Sequence, residues 1–255
     1  MTANNTKKIW TVGPRELLDH AFSHLTDGKA FDFRIAMISI DNAVELAIKT
    51  YLSLQKRIRG LEGPSRKRLE EASSSFPALL DLLEEYAGSK LSGIELGDIE
   101  VYHRLRNTLY HDGNGVTVDP EYVDSYLQIA KILLNNLLGV RVEAEETSLP
   151  SSSLGDLVSK WAIVVEEVRN LHEIYGKKEI SINEPVLHTV DRLITAGILD
   201  GQFRNRLKHV NNIRNKLVHS ASIPLEEENI NNIVEELNDL IAHLKALKSI
   251  LKMKK

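Results

Sequence analysis

Two stretches of this chain repeat the same chemistry at a fixed distance. Leu105-Arg106-Asn107-Thr108-Leu109-Tyr110-His111 and Ile213-Arg214-Asn215-Lys216-Leu217-Val218-His219 both read apolar, Arg, Asn, any, Leu, any, His, and the Arg and His positions are each separated by 108 residues. The surroundings agree as well. Each copy ends a helix-like segment and is followed by small or turn-forming residues, Asp112-Gly113-Asn114-Gly115 or Ser220-Ala221-Ser222. Each then meets a proline with acidic neighbours, Asp119-Pro120-Glu121 or Pro224-Leu225-Glu226, that opens a long helical pattern. A repeated unit of this kind constrains the fold more than any composition does, because it demands two similar structures in one chain.

The rest of the sequence is compatible with two helical units. The 255 residues include only 14 Gly and 7 Pro, and the apolar positions recur at helical rather than alternating spacing. Aromatics make up 5% of the chain, so Leu, Ile, Val and Ala must form the cores. A polar stretch, Arg141 to Ser153, carries three glutamates and then a proline followed by three serines, and reads as the linker. The expected domains are 1–147 and 148–255. Helices are expected over residues 14–28, over 31–59 as the longest and most apolar, over 65–88 with a break at Phe76-Pro77, and over 98–111 and 120–138. The second unit is expected to contain helices over 154–176, 185–197, 202–219 and 224 onward.

The chain contains no cysteine, which excludes disulfides, thiolate nucleophiles and Cys-ligated zinc. It shows neither an apolar signal region near Met1 nor an apolar run of membrane-spanning length, so a cytoplasmic protein without membrane contact is expected. The formal charge is −4, yet no acid occurs from Gly201 to Leu225 or from Val101 to His111. Arg104, Arg204, Arg206, Lys208 and Lys216 are therefore candidate phosphate contacts, with solvated helix faces as the plainer alternative. His20 and His24 are four residues apart and share a helix face, but no sequence neighbour completes a metal site, so no metal and no cofactor are expected. Arg204-Asn205-Arg206-Leu207-Lys208-His209 has the motif's letters without a helix stop after it, and reads as earlier turns of the second motif helix.

The paired Arg-Asn-x-Leu-x-His motifs and the order of helices around them resemble the HEPN superfamily of small helical domains. The resemblance implies an all-α fold, with two HEPN-like bundles in tandem packed as a pseudo-dimer. It also implies a metal-independent endoribonuclease site built where two such helices meet, from Arg106, Asn107, His111, Arg214, Asn215 and His219. The residue types suit that chemistry. Imidazole serves as base or acid near neutral pH, guanidinium binds phosphate oxygens, and Asn orients the imidazole or donates to phosphate. The family implies an RNA substrate, a toxin, phage-defence or RNA-processing role, a homodimer or intrachain pseudo-dimer, and an antitoxin or regulatory partner. HEPN toxins modified by a partner nucleotidyltransferase carry Tyr two residues after the His. Here Gly113 and Ala221 stand there, so that regulation is not expected. The contrasting expectation is a non-catalytic helical module for a protein or nucleotide. In that reading each Arg pairs with helix acids such as Asp41 or Glu45, and each His caps the end of its helix.

Overall fold

A computed structural model describes residues 8–111, 116–140, 152–176, 184–219 and 227–253. Those residues form helices and their connections, with no strand among them. The chain forms two compact units, one of Met1–Leu91 with Glu95–Pro150, the other of Ser92–Ile94 with Ser151–Lys255. The expected boundary at 147/148 lies outside the described residues. No described helix is long and apolar enough to cross a membrane.

The first unit contains α1 (Val12–Asp27), α2 (Ala30–Ser53), α3 (Lys56–Arg59), α4 (Arg66–Ala72), α5 (Phe76–Ala87), α6 (Leu96–His111) and α7 (Pro120–Leu138). Helix α2 is its axis. It runs without Gly or Pro, and Ala36, Met37, Ile40, Ala43, Val44, Ala47 and Ile48 are all fully buried. These positions cover more than one helix face, so α2 packs against α1, α5, α6 and α7 together. Full burial of each Ile or Val there stabilises the unit by roughly 1.5–3 kcal/mol.

The periodic pattern predicts one helix to Arg59, but the chain breaks after Ser53, where Leu54 is extended (ψ 140°). The break lets Arg59 of α3 fold back over the Tyr51 ring, 4.9 Å from its centroid, and donate to the Glu62 carbonyl. The other boundaries follow local chemistry. Asp119 accepts from the Glu121 amide at 2.9 Å, and Pro120 opens α7 where an amide would lack a partner anyway. Gly139 closes α7 in the left-handed region (φ 67°).

The second unit contains α8 (Ser153–Gly176), α9 (Val186–Thr195), α10 (Gly201–His219) and α11 (Glu227–Met253). Its core joins Trp161, Val164, Val168 and Leu171 of α8 to Leu237, Leu240 and Leu244 of α11 and to Leu207 and Val210 of α10. Asp200 accepts from the Phe203 amide at 2.8 Å and starts α10. The expected helix start at Pro224 lies outside the described residues.

Candidate functional site

Each motif closes a helix whose inward stripe is set by apolar spacing. In α6 the buried residues are Asp98, Ile99, Tyr102 and Leu109, and Arg106 falls on the stripe of the last three. In α10 the stripe is Phe203, Leu207, Val210, Arg214 and Val218, with Arg214 itself only 2% exposed. The guanidinium of each motif therefore points inward. Its Asn, one residue on, lies about 100° round the helix and is half-buried, and the His at the helix end is exposed.

The same hydrogen bond occurs in both copies. Arg106 Nη1 donates to Asn107 Oδ1 at 2.8 Å, and Arg214 Nη1 donates to Asn215 Oδ1 at 3.0 Å. Each Arg thus fixes the neighbouring amide by occupying its oxygen, which leaves the Asn Nδ2 donors to serve another acceptor. The two copies also diverge at one exposed position. Tyr110 is 63% exposed and meets the His111 ring edge-to-face, whereas the equivalent Val218 is fully buried.

What lies beneath the Arg differs. Arg106 Nη2 donates to Asn42 Oδ1 at 2.8 Å, and its Nε stands 3.2 Å from Asp41 Oδ2. Asp41 has no exposed surface. It also accepts from Tyr126 Oη at 2.9 Å, while His103 Nδ1 lies 3.0 Å from Oδ2. The stack of Phe76 on His103, with centroids 3.8 Å apart, holds that ring in place. Burial, reinforced by the Asp41 charge, pushes the Tyr126 hydroxyl well above its ordinary pKa, so it remains a donor. One carboxylate of α2 therefore ties down α6 and α7. In the second unit Arg214 lies 5.9 Å from the ring centroid of Trp161, a residue buried in α8. Of the two acids expected to meet an Arg, Asp41 does so and Glu45 instead pairs with Lys49 at 2.6 Å.

The remaining candidates divide by their neighbours. Arg204 pairs with Asp191 of α9, Nη2 to Oδ2 at 3.2 Å, and Arg206 pairs with Glu236 and, at 3.7 Å, Asp239 of α11. The acid-free run of α10 is thus answered by acids from adjacent helices, which a scan along the sequence does not see. Arg104 lies 3.9 Å from Glu100 and is largely exposed. Lys208 and Lys216 are exposed and have no acid partner among the described residues.

One constellation was missed. His20 and His24 do share a face, with ring centroids 4.7 Å apart, but the expectation that no acid joins them fails. Asp27 at the end of α1 and Asp32 in the first turn of α2 both converge on His24, because Gly28 (φ 74°) reverses the chain between them. The short α1–α2 connection was the available signal. No family model matches this chain, and neither curated proteins nor solved structures give a significant match.

Proposed function

We propose that the protein is a metal-independent, HEPN-like endoribonuclease in which the two motif helices act as a pair. The observation that carries this reading is the repeated arrangement of an inward Arg, an Asn amide fixed by it, and an exposed His at the helix end. In RNA cleavage one imidazole takes the 2′-OH proton, and the oxygen attacks the adjacent phosphorus. The 5′-oxygen departs with a proton from the second imidazole, leaving a 2′,3′-cyclic phosphate and a 5′-hydroxyl. Asn107 and Asn215 offer amide donors to the phosphate oxygens. Arg106 and Arg214 act through those amides as positioning residues rather than as direct phosphate ligands, since one is largely covered and the other buried.

Incubating the full chain with total RNA in EDTA, beside His111→Ala, His219→Ala and the double variant, tests this. Cleavage by the wild type alone is the expected result. Full cleavage by the double variant would place the chemistry elsewhere. A second reading, the non-catalytic helical module, is favoured by the same Arg burial, because each guanidinium already has a structural use. It gains if the wild type folds normally and cleaves no RNA with or without added divalent metal.

A further inference from the structure

The α1–α2 corner collects nitrogen and oxygen donors that the ribonuclease reading does not use. Here His24, Asp27 and Asp32 each bring one ligand atom within 4.8 Å of the others. His24 Nδ1 lies 3.0 Å from Asp32 Oδ1, and His20 stands one turn earlier on the same face, edge-on to the His24 ring. Two observations set this group apart from an ordinary surface cluster. Asp32 is 9% exposed, and among the described residues its carboxylate has no hydrogen-bond or ion-pair partner except His24. Only Oδ1 of that carboxylate is engaged, by the His24 ring, so among the described residues Oδ2 keeps its lone pairs for a further donor or a cation. Asp27 and His20 are both exposed.

The geometry points to a binding site for one divalent transition-metal ion of the zinc class, with His24, Asp27 and Asp32 as ligands and solvent completing the coordination. Tetrahedral zinc with bonds of about 2.0–2.2 Å spaces its ligand atoms about 3.3–3.5 Å apart, and here the three ligand atoms already lie within 4.8 Å of one another. The cation takes the place of the hydrogen bond between His24 and Asp32, so binding releases a proton when that nitrogen carries one. Mixed imidazole and carboxylate donors select zinc, cobalt or nickel over magnesium, which prefers oxygen alone. The ligands come from the end of α1 and the start of α2, so the ion would pin the hairpin that leads into the unit's central helix. This inference does not depend on the ribonuclease reading.

A simpler role competes with it. His24 in the last turn of α1 and Asp32 in the first turn of α2 complement the two helix dipoles, and as a bare pair they need no ion. Asp27 separates the two possibilities, since the pair does not involve it. The test uses tag-free, EDTA-treated full-length protein titrated with Zn²⁺ and Co²⁺, read by calorimetric stoichiometry, Co²⁺ visible absorption and Tm. The expected result is one equivalent bound and a raised Tm. Asp27→Asn, Asp32→Asn and His24→Ala each weaken binding at least about tenfold. Asp27→Asn does so without changing the Tm of the metal-free protein, and His209→Ala in α10, the control, binds as wild type. No binding overturns the proposal, as do binding that survives Asp27→Asn and His24→Ala, and Mg²⁺, titrated alongside, bound as tightly as zinc.

Discussion

The two motif helices carry the same letters, and a different side chain is described against each Arg. In the first unit Arg106 rests on a buried carboxylate that Tyr126 and His103 also share, so the motif is anchored by charge. In the second, Arg214 is buried over the indole of Trp161, and the corresponding helix α8 lines the core with Val164, Val165 and Val168. What stays the same is the outer part: the Arg-to-Asn hydrogen bond and the exposed His. A feature present in both copies is a candidate for function, because packing alone does not require it twice.

The largest expected effects test that shared outer part. If both imidazoles act in one reaction, His111→Ala and His219→Ala each lower the cleavage rate by about 10²–10⁴, and the double variant loses little more. Equal losses in a gel-based rate assay support a shared role. A loss confined to one variant would make the copies functionally unequal. Neither change should alter the urea midpoint appreciably, since both side chains lie at the surface.

The foundations are next. Asp41→Ala strands Arg106 and the Tyr126 hydroxyl in a dry interior and should destabilise the first unit by about 3–5 kcal/mol in urea denaturation. An unchanged midpoint would mean that the charge anchor is not the support described above. Tyr126→Phe removes one of the donors to Asp41 and should cost less, about 1–3 kcal/mol.

The smallest effect belongs to the second unit. His172 is buried, and that burial, followed by the nearby Arg192 charge, lowers its pKa from the ordinary value of 6.5. The folded state therefore holds this proton less readily than the unfolded chain. Stability from the neutral ring is fully present above about pH 6.5 and declines as pH falls from there through the lower folded-state pKa. His172→Gln, which cannot take up the proton, should flatten that acid slope in thermal melts across pH 5 to 7.5. An identical slope in the variant would assign the acid sensitivity to other groups.

Much of the architecture was legible because its signals are local. The boundaries of α7 are written in Asp119-Pro120 and Gly139, and the girth of α2 in its run of apolar residues. The break between α2 and α3 was not legible, because Tyr51 and Arg59, which meet across it, stand eight apart, a spacing that an unbroken helix also places on one face. The same limit applied to charge. Arg204 and Arg206 look like a bare basic patch along α10 until Asp191 and Glu236 arrive from other helices. The inward direction of the motif arginines, by contrast, was present in the letters. Arg106 follows Ile99 and Tyr102 and precedes Leu109 at steps of three and four, and Arg214 stands between Val210 and Val218 in the same rhythm. Reading the motif as a list of reactive groups hid its place on the apolar stripe.

The shared acceptor at Asp41 also limits what substitution can do at this locus. Three side chains from two helices depend on one carboxylate, so no pairwise exchange restores the set. Reversing the charges at 41 and 106 would rebuild one ion pair while leaving the Tyr126 and His103 donors to face a cation. Moving the acid one residue along α2 would swing it about 100° away from all three. In a deep mutational scan, Asp41 should tolerate almost nothing and Arg106 little. His111, whose side chain is exposed, should accept many residues in a selection for folding and few in a selection for activity. The separation between those two profiles would map, position by position, where architecture ends and chemistry begins.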